Sequence, residues 1–146
     1  MDETVPGNGK VSGGVLQLRL VVEAEDWDEA VRFYRDVLGM AEQESYAGEG
    51  GAQVIILDAG RATLELSNPA QVRMIDQVEA EGKRSDRLRV ALEVADSAAV
   101  TERAVEEGAE LIATPRETPW RSLNSRLRGP AGLQLTFFQE LAQPSE

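Results

Sequence analysis

Leu16, Leu18, Leu20, Val22 and Ala24 alternate with Gln17, Arg19, Val21 and Glu23. A period of two predicts a strand with one apolar face. Asp26, with Glu29 three residues on, supplies an N-cap and capping pair. Trp27, Ala30, Val31, Tyr34 and Leu38 then fall at helical spacing, Phe33 reads as core, and Gly39 closes the helix as a left-handed cap. Extended segments follow near 41–47, 52–58 and 61–67, divided by the Gly48–Gly51 cluster and by Ala59-Gly60. The order is strand, helix and three strands.

The pattern then repeats. Leu18-Arg19-Leu20-Val21-Val22-Glu23-Ala24 returns seventy positions later as Leu88-Arg89-Val90-Ala91-Leu92-Glu93-Val94, and Asp96 stands where Asp26 stood. Asp96 caps a helix carrying Ala99, Val100 and Ala104, and Gly108 stops it. Strands are expected near 110–114, 122–128 and 133–138, with Pro115, Pro119 and Gly129-Pro130 breaking the chain between them. The prediction is an α+β domain over residues 14–140, built from two βαβββ modules. Module one covers about 14–68, a linker 69–86 and module two about 87–139. Each is too small for a comfortable core of its own, so the two should bury each other's apolar faces. Within the linker one short helix is expected over Gln71–Val78, and residues 1–13 and 141–146 read as tails, the first of them flexible.

Composition narrows the chemistry. Among 146 residues, 15 Lys and Arg face 26 Asp and Glu, a formal net charge of −11. So acidic a chain repels nucleic acid and anionic membrane. It contains no cysteine and no histidine. Those two zeros exclude disulfides, thiolate nucleophiles, Ser-His-Asp arrangements and any metal site that needs imidazole or thiolate. No phosphate-loop or dinucleotide glycine pattern occurs, and no aliphatic run approaches a membrane span. The acidic, glycine-rich N-terminus does not read as a signal peptide, so a cytoplasmic protein is expected.

If one face of each sheet is covered by its helix, parity sends the other side chains to the opposite face. These are Gln17, Arg19, Val21 and Glu23, then Thr63 and Glu65, Arg89, Ala91 and Glu93, Asn124, Arg126 and Arg128, and Gln134, Thr136 and Phe138. Should the sheets curl toward each other, this mixed-sign set lines a shared concavity. A solvated face or a salt bridge explains Arg126 and Arg128 as well as a ligand contact does.

Three segments carry a resemblance. Asp26-Trp27-Asp28-Glu29-Ala30-Val31-Arg32-Phe33-Tyr34-Arg35-Asp36-Val37-Leu38-Gly39, Leu64-Glu65-Leu66-Ser67-Asn68 and Gly129-Pro130-Ala131-Gly132-Leu133-Gln134-Leu135, set in the doubled strand-helix-three-strand order, resemble the vicinal oxygen chelate superfamily. That group includes glyoxalase I, extradiol dioxygenases, and fosfomycin- and bleomycin-resistance proteins. The resemblance implies their fold, with a shared concave pocket. Metal-using members hold the ion with one ligand from the first and one from the last strand of each module. Those positions match Arg19, Glu65, Arg89 and Thr136, so one ligand of four survives and two are replaced by permanent cations. No metal and no cofactor are therefore expected.

Under the resemblance, Arg19 and Arg89 face one another across the concavity with Glu65 in reach. As recognition groups they would fork onto a carboxylate, phosphate or other oxygen-rich group, with Glu65 orienting one of them. As a structural cross-link, Glu65 would merely neutralise them. In that case Glu65→Ala should cost about 3–5 kcal/mol and Arg89→Ala only a modest amount. Thr136, Asn124, Arg126, the loop residue Trp120 and the hydroxyl of Tyr34 complete the candidate ligand-binding set. The leading expectation is a homodimeric, metal-independent small-molecule-binding protein. The alternative is a metal-free isomerase or lyase with Glu65 as general base and the arginines stabilising an enolate. A metal-dependent glyoxalase or dioxygenase fits least.

Overall fold

A computed structural model describes residues 14–142; the expected tail over 1–13 and the last four residues of the other lie outside the described residues. Eight strands and three helices follow the doubled order expected from the pattern. The first run is β1 (Gln17–Glu23), α1 (Trp27–Val31), β2 (Glu42–Ala47), β3 (Gln53–Ala59) and β4 (Ala62–Ser67). After α2 (Pro69–Ala80) come β5 (Leu88–Glu93), α3 (Ser97–Glu106), β6 (Glu110–Glu117), β7 (Ser122–Arg128) and β8 (Gln134–Glu140). The chain divides into two compact units, residues 18–91 and residues 92–142 with 14–17.

In the unit spanning 18–91 the strands lie in the order β2, β3, β4, β1, with β5 beside β1. β2, β3 and β4 form an antiparallel meander, while β1 and β4 are parallel, in register Arg19 to Thr63 and Val21 to Glu65. One face carries Leu64, Leu66, Ile55, Leu57 and Val22, which pack with Val31, Trp27, Ala30 and Tyr34 of the helix. Asp26 caps α1, its carboxylate accepting from the Glu29 amide at 3.1 Å. The helix then widens into a π turn over Arg32–Val37 before Gly39 (φ 76°) reverses the chain. That turn changes the expected outcome for two side chains. Its i to i+5 winding shifts the register by a residue, so Phe33 and Leu38 are 45% and 54% exposed rather than core. Leu16 and Leu18 also miss the core. Helix cover reaches only the far end of β1, where Val22 is packed, and leaves the near end bare.

In the other unit, β8, β7 and β6 pair antiparallel in that order. α3, capped by Asp96 accepting from the Ala99 amide at 3.0 Å, covers a cluster of Val94, Leu127 and Phe137. Pro115 does not break the chain as expected. It sits inside β6, an edge strand whose pairing with β7 is irregular between Ala113 and Arg116, and there a missing amide proton costs no ladder bond. A Cβ at Gly129 would meet only the tip of the Leu135 side chain, its Cδ1 at 2.8 Å, which can move aside.

Candidate functional site

Arg19 sits in the middle of β1, and the parallel register with β4 sets Glu65 opposite Val21. Period two therefore brings Arg19 and Glu65 to the same face, away from α1. An Arg19 Nη1 lies 3.8 Å from Glu65 Oε1, with the two side chains 16% and 15% exposed. At that distance the pair attracts by charge without a direct hydrogen bond. Arg89, on the neighbouring strand β5, is buried and also acts on Glu65. The two arginines thus attend one carboxylate from adjacent strands of one unit, and do not face each other across a cleft.

Burial pushes the Glu65 carboxyl above its ordinary pKa. Arg89 and then Arg19 pull it down, while Glu79 and Glu44 push it up, and the net direction is upward. Two cations do not offset desolvation plus two neighbouring acids. Since the folded pKa is raised, this group favours folding below its unfolded pKa, and that advantage is lost as the pH rises through its folded value.

The acid that the pattern did not reveal comes from α2. The linker helix is longer than expected because Asn68-Pro69 starts it. The Asn68 side chain accepts from the Gln71 amide at 2.9 Å, and Pro69 takes the first helical position, where no amide proton is needed. α2 packs on β3, β4 and the turn at 49–51. Among the described residues it adds nothing to the cluster under α1, so it covers the opposite face, that of Glu65. Its buried residues are Gln71, Val72, Ile75, Asp76, Glu79 and Ala80, and Glu79 is only 1% exposed. The spacing of Gln71, Ile75 and Glu79 carried that signal, but a helix ending at Val78 leaves Glu79 out.

Other candidates lie elsewhere. Tyr34 packs in the cluster under α1, edge-on to Phe33 with ring centroids 5.2 Å apart, on the other side of the sheet from Glu65. Asn124, Arg126 and Thr136 share a face of β7 and β8 in the second unit, with Arg126 opposite Thr136. Solvation does not explain Arg126, which is fully buried at 0% exposure. Asn124 Oδ1 accepts from the Ser122 hydroxyl at 2.6 Å, and Arg128 donates to the Gly132 carbonyl at 3.2 Å. Trp120 is 43% exposed in the turn before β7.

The metal implied by the resemblance does not fit these residues. Guanidinium groups cannot coordinate a cation, and the chain has neither histidine nor cysteine. Among the described residues no group of three or more acids is placed to hold an ion.

A glyoxalase-like domain model matches residues 19–138. No curated protein matches the chain in sequence. Solved structures do resemble it. Methylmalonyl-CoA epimerase from Mycobacterium tuberculosis aligns at TM-score 0.61 and 20% identity, over 94% of each chain. A glyoxalase/bleomycin resistance protein/dioxygenase superfamily member from Vibrio splendidus 12B01 aligns at 0.61 and 16%, over 86% of this chain and 99% of that one. The 4-hydroxymandelate synthase of Streptomyces coelicolor, a triple mutant, aligns at 0.58 and 20%, over 92% of this chain and 40% of that one. With the model spanning most of its length and these neighbours sharing its fold, the chain belongs to the glyoxalase-like domain family of the vicinal oxygen chelate superfamily.

Proposed function

We propose that the protein binds a small anionic or oxygen-rich molecule without a metal, using Arg19 and Arg89 as recognition groups and Glu65 to orient them. The observation that carries this reading is the pair of largely buried guanidinium groups around a single carboxylate held above its ordinary pKa. Such forks match carboxylate or phosphate oxygens and lose little hydration energy in doing so. A thioester of a carboxylic acid, the substrate class named for one structural neighbour, is chemistry of this kind. Thermal-shift screening tests the reading. Small dicarboxylates and acyl thioesters should raise Tm, and the rise should vanish in Arg89→Gln. Stabilisation by cationic antibiotics alone, or one tightly held zinc, nickel or manganese ion per chain, would overturn it.

The raised pKa of Glu65 also favours a second reading, a metal-free isomerase in which Glu65 takes a proton next to a carbonyl. Incubation with methylmalonyl-CoA in deuterium oxide separates the two. Deuterium entering the substrate's α-position with wild type, and not with Glu65→Gln, would make the protein an enzyme; no exchange leaves it a binder.

A further inference from the structure

We propose that Glu23 forms a second end of the Arg19–Arg89 site and takes a ligand's ammonium group. The molecule bound would then be a zwitterion whose carboxylate and amine stand about 7 Å apart. This rests on reading those arginines as recognition groups. The position of Glu23, its missing hydrogen bond and the cation that reaches it support the assignment.

Glu23 lies on β1 four residues beyond Arg19, so period two sets it on the face of Arg19 and Glu65. In the register with β4, Val21 stands opposite Glu65 and Glu23 opposite Ser67. Glu23 is therefore one side-chain row beyond Glu65, about 7 Å along the strands at roughly 3.3 Å per residue. Toward β5, the Glu23 amide donates to the Arg87 carbonyl at 3.0 Å, two residues before Arg89. One face of one unit thus carries guanidinium groups in one stretch and a carboxylate in the next.

The Glu23 side chain is 5% exposed, and its Oε1 is buried with no hydrogen-bond partner among the described residues. Buried carboxylate oxygens are normally bonded, because a bare one costs more than a neutral side chain in its place. A position that needed only filling would take an aliphatic residue, as Val21 does one row back. The unmet acceptor calls for a donor from outside the chain.

A cation already reaches it. Arg84 Nη2 stands 3.6 Å from that same oxygen, too far for a hydrogen bond, and the Arg84 side chain is 64% exposed. It comes from the connector between α2 and β5. So solvated a guanidinium gains little from the pair and gives way readily. An ammonium in its place brings three donors on a compact head and can bond the oxygen directly. The carboxylate is buried, yet open to a positive group arriving from solvent.

Titration calorimetry of the full chain with pentanoate and with 5-aminopentanoate, alike in chain length and different at the far end, tests this. Wild type should bind 5-aminopentanoate roughly tenfold more tightly than pentanoate. Glu23→Gln should erase that advantage, and Arg89→Gln should weaken the binding of both molecules. Arg84→Ala, which removes the competing guanidinium, should enlarge the advantage severalfold. Equal binding of the two to wild type, weakened by Arg89→Gln, would leave the arginine site standing and overturn the role of Glu23. An advantage that survives Glu23→Gln would place the amine elsewhere and overturn it too. Binding that depends on Glu23 and ignores Arg89→Gln would overturn the two-ended site. Binding of neither molecule, or equal binding that ignores Arg89→Gln, would overturn both readings. Should Glu23→Gln not fold, the exposed Arg84 decides: an advantage that Arg84→Ala enlarges supports the proposal, and one that it leaves unchanged or reduces overturns it.

Discussion

Arg89→Ala is expected to destabilise the fold by about 3 kcal/mol at neutral pH, the lower end of the cost of removing one partner from a buried ionic set. It leaves Glu65 and Glu79 buried near each other with Arg19 as the remaining cation of the set around Glu65. The acids can relieve that imbalance by taking up a proton. The Glu65 carboxyl, already held above its ordinary pKa, then climbs further, so the penalty should shrink on acidification and grow as the pH rises through the folded value. Glu65→Gln should behave differently. Its ionised form is already disfavoured by burial and by Glu79 and Glu44, so a neutral amide of the same shape should cost less than about 1 kcal/mol at pH 7. Urea denaturation of both variants at neutral and mildly acidic pH gives the comparison. A larger loss in Glu65→Gln than in Arg89→Ala, or an Arg89→Ala penalty indifferent to pH, would contradict it. As a cross-link between two arginines, Glu65 is the costlier residue to truncate to alanine; the further acids Glu79 and Glu44 are what lower the cost of neutralising it to glutamine.

The alternation in β1 and β5, the Asp26 and Asp96 caps and the glycine stops were legible because each is local: a strand's period or a cap's hydrogen bond is decided within a few residues. What was not legible depended on partners distant in sequence. Parity correctly grouped Arg19 with Glu65, yet it could not say that the same face would be covered, which required knowing where α2 lands. The same limit applies to Arg126. Alternation assigned its face, while its complete burial is fixed by what packs on it. Phe33 and Leu38 failed for a different reason. Helical spacing assumes 3.6 residues per turn, and the π turn over Arg32–Val37 departs from that without a sequence mark such as proline.

Asn68→Ala is expected to cost about 2 kcal/mol, more than a surface helix cap alone. The side chain makes three bonds to the backbone of three different segments. Oδ1 accepts from the Gln71 amide at 2.9 Å, which caps α2, and from the Gln53 amide at 3.0 Å, at the start of β3. Nδ2 donates to the Gly51 carbonyl at 2.8 Å, in the turn that leads into β3. A cap by itself is worth roughly 1 kcal/mol. The part-buried Gln53 amide would lose a partner as well, at roughly 1 kcal/mol, whereas the exposed Gly51 carbonyl can turn to water. Asn68→Asp separates the contributions. It keeps both accepted bonds and adds a negative charge at the α2 N-terminus, where the helix dipole favours it, but it loses the donations to Gly51 and to the Gln53 Oε1 and sets a carboxylate oxygen against those two acceptors. Asn68→Asp should therefore recover only part of the stability lost in Asn68→Ala. A loss below 1 kcal/mol in Asn68→Ala, measured by urea denaturation, would mean that water replaces the amide at all three contacts. A loss of the expected size would mean that one side chain fixes both the entry to β3 and the start of α2.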